Sequence, residues 1–287
     1  MPHYILVTES GSDIYPDSAE RYGVHIVPMH VNFDDATRND DSFPPKELYE
    51  SYKATGRPPK TSGSNPEDFT KVFDEIHAAY PAAKILYLAY SAATTVSFRS
   101  AHLAAESRDY VMMVDTKSVS SALHLVVTNV AQLLDVTPDI PEDELMAYIA
   151  SQVDRIRFAF IPGDLDYLRA GDRLSNVAFL GATLLRIKPT VEVVDGLLVA
   201  TKKRRGTMLK YVAQLVEDFV NREPMDLSRV NLTYSVGCGP YPLIRRVVEK
   251  ILADHGAQSI EWVKSGCVIA SHAGPGAFGI AALAKNA

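Results

Sequence analysis

Short β-rich runs alternate with longer helical patterns along almost the whole chain, and this alternation constrains the fold more than any other feature. The runs YILVT (4–8), VHIVPMHV (24–31), KILYLAY (84–90) and YVMMVD (110–115) are separated by segments with apolar residues at helical spacing. That order predicts an α/β layer fold, with an N-terminal domain over residues 1–156 built on a mostly parallel sheet flanked by helices. Helices are expected over 66–79, 96–107, 118–134 and 142–156. The first is signalled by Asn65 as a cap, Pro66 in the first turn, and Glu67 and Asp68 at the positive end of the dipole.

Residues 157–287 are read as a second α/β domain with a mixed sheet. RFAFI (157–161) is an expected strand, followed by short helical pieces punctuated by Gly171. Asp195-Gly196 between two β-rich runs is a strong hairpin signal, placing a hairpin over 190–201. An amphipathic helix is expected over about 207–222. Two further strands, 230–236 and 259–263, flank a helix at 241–254, and the glycine-rich tail reads equally as strand or helix.

The chain's 287 residues, 47% of them hydrophobic, can fill a sizeable core, and its net charge of −6 argues against nucleic acid or an anionic membrane as the main partner. Cys238 and Cys267 are too few for a disulfide framework and lack the neighbours of a metal or CxxC site, so a reducing cytoplasm is the expected compartment. No stretch approaches the ~18 apolar residues that span a bilayer, and the N-terminus has no leader pattern. No metal, cofactor or stable membrane insertion is expected.

Open α/β sheets bind ligands where strands end, and four stretches qualify. PPKTSGSNPEDF (58–69) sets Thr61 and Ser62 in a turn-rich loop before a helix whose free N–H groups attract an anion. LAYSAATTVSFRSA (88–101) ends a buried strand at Ser91 and offers Thr94, Thr95 and Ser97, although ordinary capping accounts for one of these hydroxyls. KKRR (202–205) is either a solvated basic turn or a clamp for phosphate or an acidic partner. SHAGPGAFG (271–279) puts His272 beside Gly274, Gly276 and Gly279, which let backbone approach a ligand.

The dinucleotide, phosphate-loop, zinc-protease and serine-elbow signatures are missing. Hydroxyls and one imidazole amid apolar segments suit a carboxylate with a long apolar tail better than a polar metabolite.

Six blocks in order carry a resemblance: TESGSD, KTSGSNPEDF, YSAATTVSFRSAHLAA, VDTKSVSSALHLVV, LDYLRAGDRLSNVAFLGATLLRIKPTVEVVDGLLVATKKRRG and SHAGPGAFGIA. Together they resemble the DegV family, the bacterial fatty-acid-binding proteins, over nearly the whole chain. The resemblance implies two α/β domains enclosing a tunnel for one long-chain fatty acid. It also implies a carrier rather than an enzyme. Thr61 and Ser62 match the family's Thr-Ser-Gln loop, Ser91 its Ser-Ser block and His272 its His-x-Gly-Pro-Gly motif, and these residues would hold the carboxylate. Arg173 and Arg204 match two family arginines and, with Thr95, Gly274 and Gly276, are implied as further ligand or partner contacts.

In members called FakB the bound fatty acid is presented to a separate fatty acid kinase, which makes acyl phosphate for phospholipid synthesis; the basic turn at 202–205 would face that partner, and a monomeric carrier is expected. The chain departs from the pattern at Glu9 (usually Asp), Gly63 (usually Gln), Ala92 (commonly Ser) and Val96 (usually Gly). Two other readings stand on the sequence alone. One is a serine-dependent acyl hydrolase using Ser91 with His272 and Asp115. The other is an anion-binding regulatory module that clamps a phosphorylated ligand with Lys202 to Arg205.

Overall fold

The computed structural model describes residues 3–34, 36–174, 188–238 and 241–286. Its first half runs β1 (Tyr4–Glu9), α1 (Pro16–Tyr22), β2 (Val24–Val27), β3 (His30–Asn32), β4 (Thr37–Asn39), α2 (Lys46–Thr55), β5 (Lys60–Ser62), α3 (Pro66–Ala79), β6 (Lys84–Tyr90), α4 (Ser97–Ala105), β7 (Val111–Ser118), α5 (Ser120–Val136) and α6 (Glu142–Arg155). The second runs β8 (Ile156–Ile161), α7 (Leu165–Ala170), β9 (Lys188–Val194), β10 (Leu197–Arg204), α8 (Met208–Asn221), β11 (Met225–Tyr234), α9 (Tyr241–Asp254), β12 (Ile260–Lys264), α10 (Cys267–Ala273) and β13 (Phe278–Ala284).

A four-stranded parallel sheet, order β2-β1-β6-β7, is the base of the first half. β6 is buried from Ile85 to Tyr90, which is why it reads as a continuous apolar run rather than an alternation: helices cover both of its faces. The second half carries a mixed six-stranded sheet, β10-β9-β8-β13-β11-β12, antiparallel except for β11 and β12. Sheet membership changes at Ile156, where α6 passes directly into β8.

α5 lies between the two sheets. Its residues Ser120 to Ala131 are all buried, and it packs on β11, β13 and β8 on one side and on β1, β6 and β7 on the other. Over these twelve residues the helix has no solvent face, and SSALHLVVTNVA correspondingly carries no Asp, Glu, Lys or Arg; its polar Thr128 and Asn129 bond internally, to the His124 carbonyl and to Gln152. One core therefore runs through both halves, from Leu6 and Leu86 through Leu123 and Val127 to Phe158 and Val191.

Three local expectations are corrected. The run 24–31 is not one strand: Pro28 and Met29 separate β2 in the parallel sheet from β3, which heads a small antiparallel sheet of order β4-β3-β5. Thr61 and Ser62 accordingly lie in strand β5, not in a loop. The glycine-rich tail is both elements in turn, α10 then β13, and α10 crosses back onto the small sheet, where Val268 and Ala270 pack with Met29, Val31 and Leu48. The helical pieces expected beyond Leu174 fall at 175–187, outside the described residues.

Candidate functional site

A cavity opens between the halves, lined by residues of both. Its walls are mainly apolar: Phe158 and Phe160 of β8, Leu198 of β10, Val268 and Ile269 of α10, and Phe278 of β13. Polar groups gather at Thr61 of β5, Thr94 and Thr95 after β6, Arg173 after α7, and His272 near the end of α10. The first half thus supplies hydroxyls, and the second supplies the imidazole, the guanidinium and the further hydroxyls of Thr233 and Ser265.

His272 Nε2 lies 2.7 Å from Thr61 Oγ1, and its Nδ1 is buried with no hydrogen-bond partner. Burial, reinforced by the nearby Arg173 charge, pushes the imidazole pKa down to about 4, so the ring is neutral near pH 7. A neutral ring carries one proton, and placing it on Nε2 leaves no N–H without an acceptor. His272 then donates to Thr61, whose own hydroxyl hydrogen is free to turn toward the cavity. The ring is seated by Gly171: a methyl there would stand 2.1 Å from Nδ1. Arg173 donates to the Gly171 carbonyl over 2.8 Å and forms no ion pair among the described residues. A neutral donor set backed by one cation suits a carboxylate.

The expected site residues divide sharply. Thr61, Thr95, Arg173 and His272 line the cavity together. Ser62, one residue on in an extended strand, accepts from Asn32 Nδ2 at 3.3 Å and is not among the lining residues. Ser91 is fully buried and donates to the Gly196 carbonyl at the hairpin tip over 2.7 Å, away from the cavity. Gly274 and Gly276, with φ of 72° and 84°, serve close packing: added methyls would meet Asp164 at 3.0 Å and the Gly237 carbonyl at 2.8 Å. The helix end after Thr61 offers no anion site, because Asn65 already accepts from the N–H groups of Glu67 and Asp68.

Gly63 also lines the cavity, and the hydroxyls of Thr95 and Ser97 would each lie 2.5 Å from a Cβ there. A side chain at 63 would have to displace one of these hydroxyls. The basic run is not a turn: Lys202 to Arg204 close strand β10, and although Lys202, Lys203 and Arg205 are exposed, Lys202 and Arg204 are paired. Asp218 of α8 pairs with both Lys202, at 2.8 Å, and Arg204, which also donates to Gln214.

Ser91, His272 and Asp115 form no triad: His272 is engaged with Thr61, Ser91 with Gly196, and Asp115 accepts from the N–H groups of Ala92 and Lys117. Among the described residues no group of three or more His, Cys, Asp or Glu side chains is placed to hold a metal ion.

Three buried acids stand outside the expected site residues, and of these the sequence singled out only Glu9, as a departure from the family pattern. Asp13 accepts from the N–H of Gly266 at 2.7 Å and from Ser120, and Asp40 accepts from the N–H of Val268 at 2.7 Å. Both therefore tie the start of α10 to the first half. Glu9 accepts from the N–H of Tyr90, a cavity residue, at 2.8 Å. TESGSD was the only signal for two of them, and it marks the block without assigning its carboxylates.

The family model described as uncharacterised protein, DegV family, matches residues 4–285. The chain belongs to the DegV family. It is 31% identical over 281 residues to a DegV domain-containing protein of Deinococcus radiodurans, with 96% of each chain covered. The structure of a DegV family protein from Thermus thermophilus, described by its fatty acid binding, is 28% identical and superposes with a TM-score of 0.86, covering 99% of this DegV chain and 100% of that one. A stearic acid-binding protein from Eubacterium ventriosum shares the DegV fold at 22% identity and a TM-score of 0.82, covering 98% of each chain.

Proposed function

We propose that this DegV protein binds one long-chain fatty acid, with the carboxylate at Thr61, His272, Arg173 and Thr95 and the chain against Phe158, Phe160, Ile269 and Phe278. The observation that carries the reading is the cavity itself, an apolar chamber whose polar groups converge from both halves on the Thr61–His272 pair. The fatty-acid-binding relative from Thermus thermophilus supports the same ligand class. Burying about 14 methylenes at ~0.8 kcal/mol each gives a gross gain on the order of 10 kcal/mol, enough after association costs for the lipid to survive purification.

Organic extraction of the purified protein followed by mass spectrometry is expected to release a long-chain fatty acid. Delipidated protein is expected to bind oleate one to one. An extract without lipid, together with no oleate binding, removes the reading.

The carrier role goes one step further. The head group is held chiefly by neutral donors, which release a carboxylate to an acceptor more readily than a buried ion pair would. A fatty acid kinase of the cytoplasm that phosphorylates the presented carboxylate is the partner proposed, and a single copy of this chain suffices to form the cavity. Arg205, exposed where β10 ends, is the cation of the basic run best placed to meet an acidic partner. Arg205→Glu is expected to leave oleate affinity unchanged while slowing acyl-phosphate formation at least tenfold at low salt, where exposed charges steer association most strongly. Normal phosphorylation of the variant, measured with kinase and ATP, would remove the run from the docking surface.

A further inference from the structure

The β9–β10 hairpin parts from its sheet beside the cavity. β8 pairs with β9 through Ala159–Glu192 and Phe160–Val191, whereas β9 and β10 stay paired out to Val194–Leu197. Where the hairpin diverges from β8, a groove is lined by Ala122, Phe158 and Val193 together with the charged side chains of Arg157, Glu192 and Arg222. Phe158 also lines the acyl cavity, as does Leu198 of the hairpin. The hairpin and one phenylalanine ring therefore stand between the cavity and the groove.

The tip is fastened to the first half. Asp195 and Gly196, with φ of 49° and 80°, form the two-residue turn, and the Gly196 carbonyl receives the hydroxyl of fully buried Ser91. The fit is close: a methyl on Gly196 would stand 2.6 Å from Ser91 Oγ. Val194 and Leu197 flank the tip at 46% and 40% exposure, an apolar surface on an otherwise polar turn. Leu198 is bridged to Leu174, next to Arg173, which joins the hairpin to the head-group end of the cavity.

We propose that the β9–β10 hairpin is the flap through which a fatty acid enters and leaves, and that Ser91 is the positioning residue that pins its tip. The proposal rests on the fatty-acid reading above. Lifting the tip joins the cavity to the groove past Phe158, the one ring that lines both, while the donors at Thr61 and His272 stay in place. Ser91 therefore governs how often the cavity opens, not how well the closed cavity holds its ligand.

Ser91→Ala is expected to raise both the association and the dissociation rate constants for oleate by roughly tenfold, the population equivalent of one net hydrogen bond, with the equilibrium affinity changed less than about twofold. Stopped-flow binding and exchange against deuterated oleate give the two rates. A weakened affinity with an unchanged association rate would assign Ser91 to the head group and overturn the proposal, as would two unchanged rates. The complementary test closes the flap. In the Ser91→Ala background, Lys117→Cys and Gly196→Cys would place their Cβ atoms 3.6 Å apart, within the span of a disulfide. The oxidised form is expected to exchange oleate at least tenfold more slowly than the reduced form, and equal rates would overturn the flap. A wild-type protein that binds no oleate at equilibrium would instead remove the fatty-acid reading itself.

Discussion

Stripping the fatty acid is expected to lower the melting temperature by about 8–16 °C, with full recovery when oleate is returned. A ligand that binds only the folded state stabilises it by RT ln(1 + [L]/Kd), or ~4 kcal/mol at a thousandfold excess over Kd, and each kcal/mol moves the transition of a domain of this size by about 2–4 °C. The effect is large because of where the ligand sits. The cavity touches β8, β10, β13, α10 and the ends of β5 and β6, so its occupant packs against both halves at once. Protein interiors are close-packed, and stripping the occupant from an apolar chamber forfeits dispersion contacts along its walls. Differential scanning calorimetry of delipidated protein, with and without oleate, measures the shift. A change under about 2 °C would mean that the chamber is not filled by fatty acid.

Several elements were legible because their signals are local. α3 begins where cap and proline place it, α9 spans the helix expected over 241–254, and the Asp195-Gly196 turn follows from the dipeptide alone. The small sheet was not legible. Its strands are three residues each, too short to show a period, and one of them is the second half of an apolar run that continues across Pro28.

The cost of that gap falls on the site. Thr61 pairs with Val31 and Ser62 with His30, and in a strand adjacent side chains take opposite faces. Only register decides which hydroxyl meets the cavity, and register belongs to the sheet rather than to the segment KTSGSN. The basic run shows the same limit from the electrostatic side. KKRR reads as four cations, but Asp218, which pairs with Lys202 and Arg204, lies on another element.

The acids that anchor α10 were hidden for a related reason, since Asp13 and Asp40 meet Gly266 and Val268 more than two hundred residues away. Their chemistry carries the second large expected effect: stability should fall as pH rises from about 4 to about 8, and Asp13→Asn should remove much of that fall. Burial raises the pKa of Asp13 from 3.8 to about 8, that of Glu9 from 4.5 to about 7, and that of Asp40 from 3.8 to about 6. Between the ordinary and the native value, the unfolded chain has released the proton that the folded protein keeps, so each step up in pH favours unfolding until the native group also ionises. For Asp13 that window extends to about 8, and its share between pH 6 and pH 8 is about 2 kcal/mol.

His272 acts at the other end. Its pKa is lowered from 6.5 to about 4, so its contribution is complete above 6.5 and is lost as pH falls through that interval. An asparagine at position 13 can still accept from the Gly266 N–H and donate to Ser120, so the variant keeps both contacts of the α10 anchor without a group that ionises. Urea unfolding at pH 6, 7, 8 and 9 is expected to show wild-type stability declining and the Asp13→Asn curve flatter by about 3 kcal/mol between pH 6 and pH 9. Parallel curves for the two proteins would show that Asp13 is already ionised when α10 is docked.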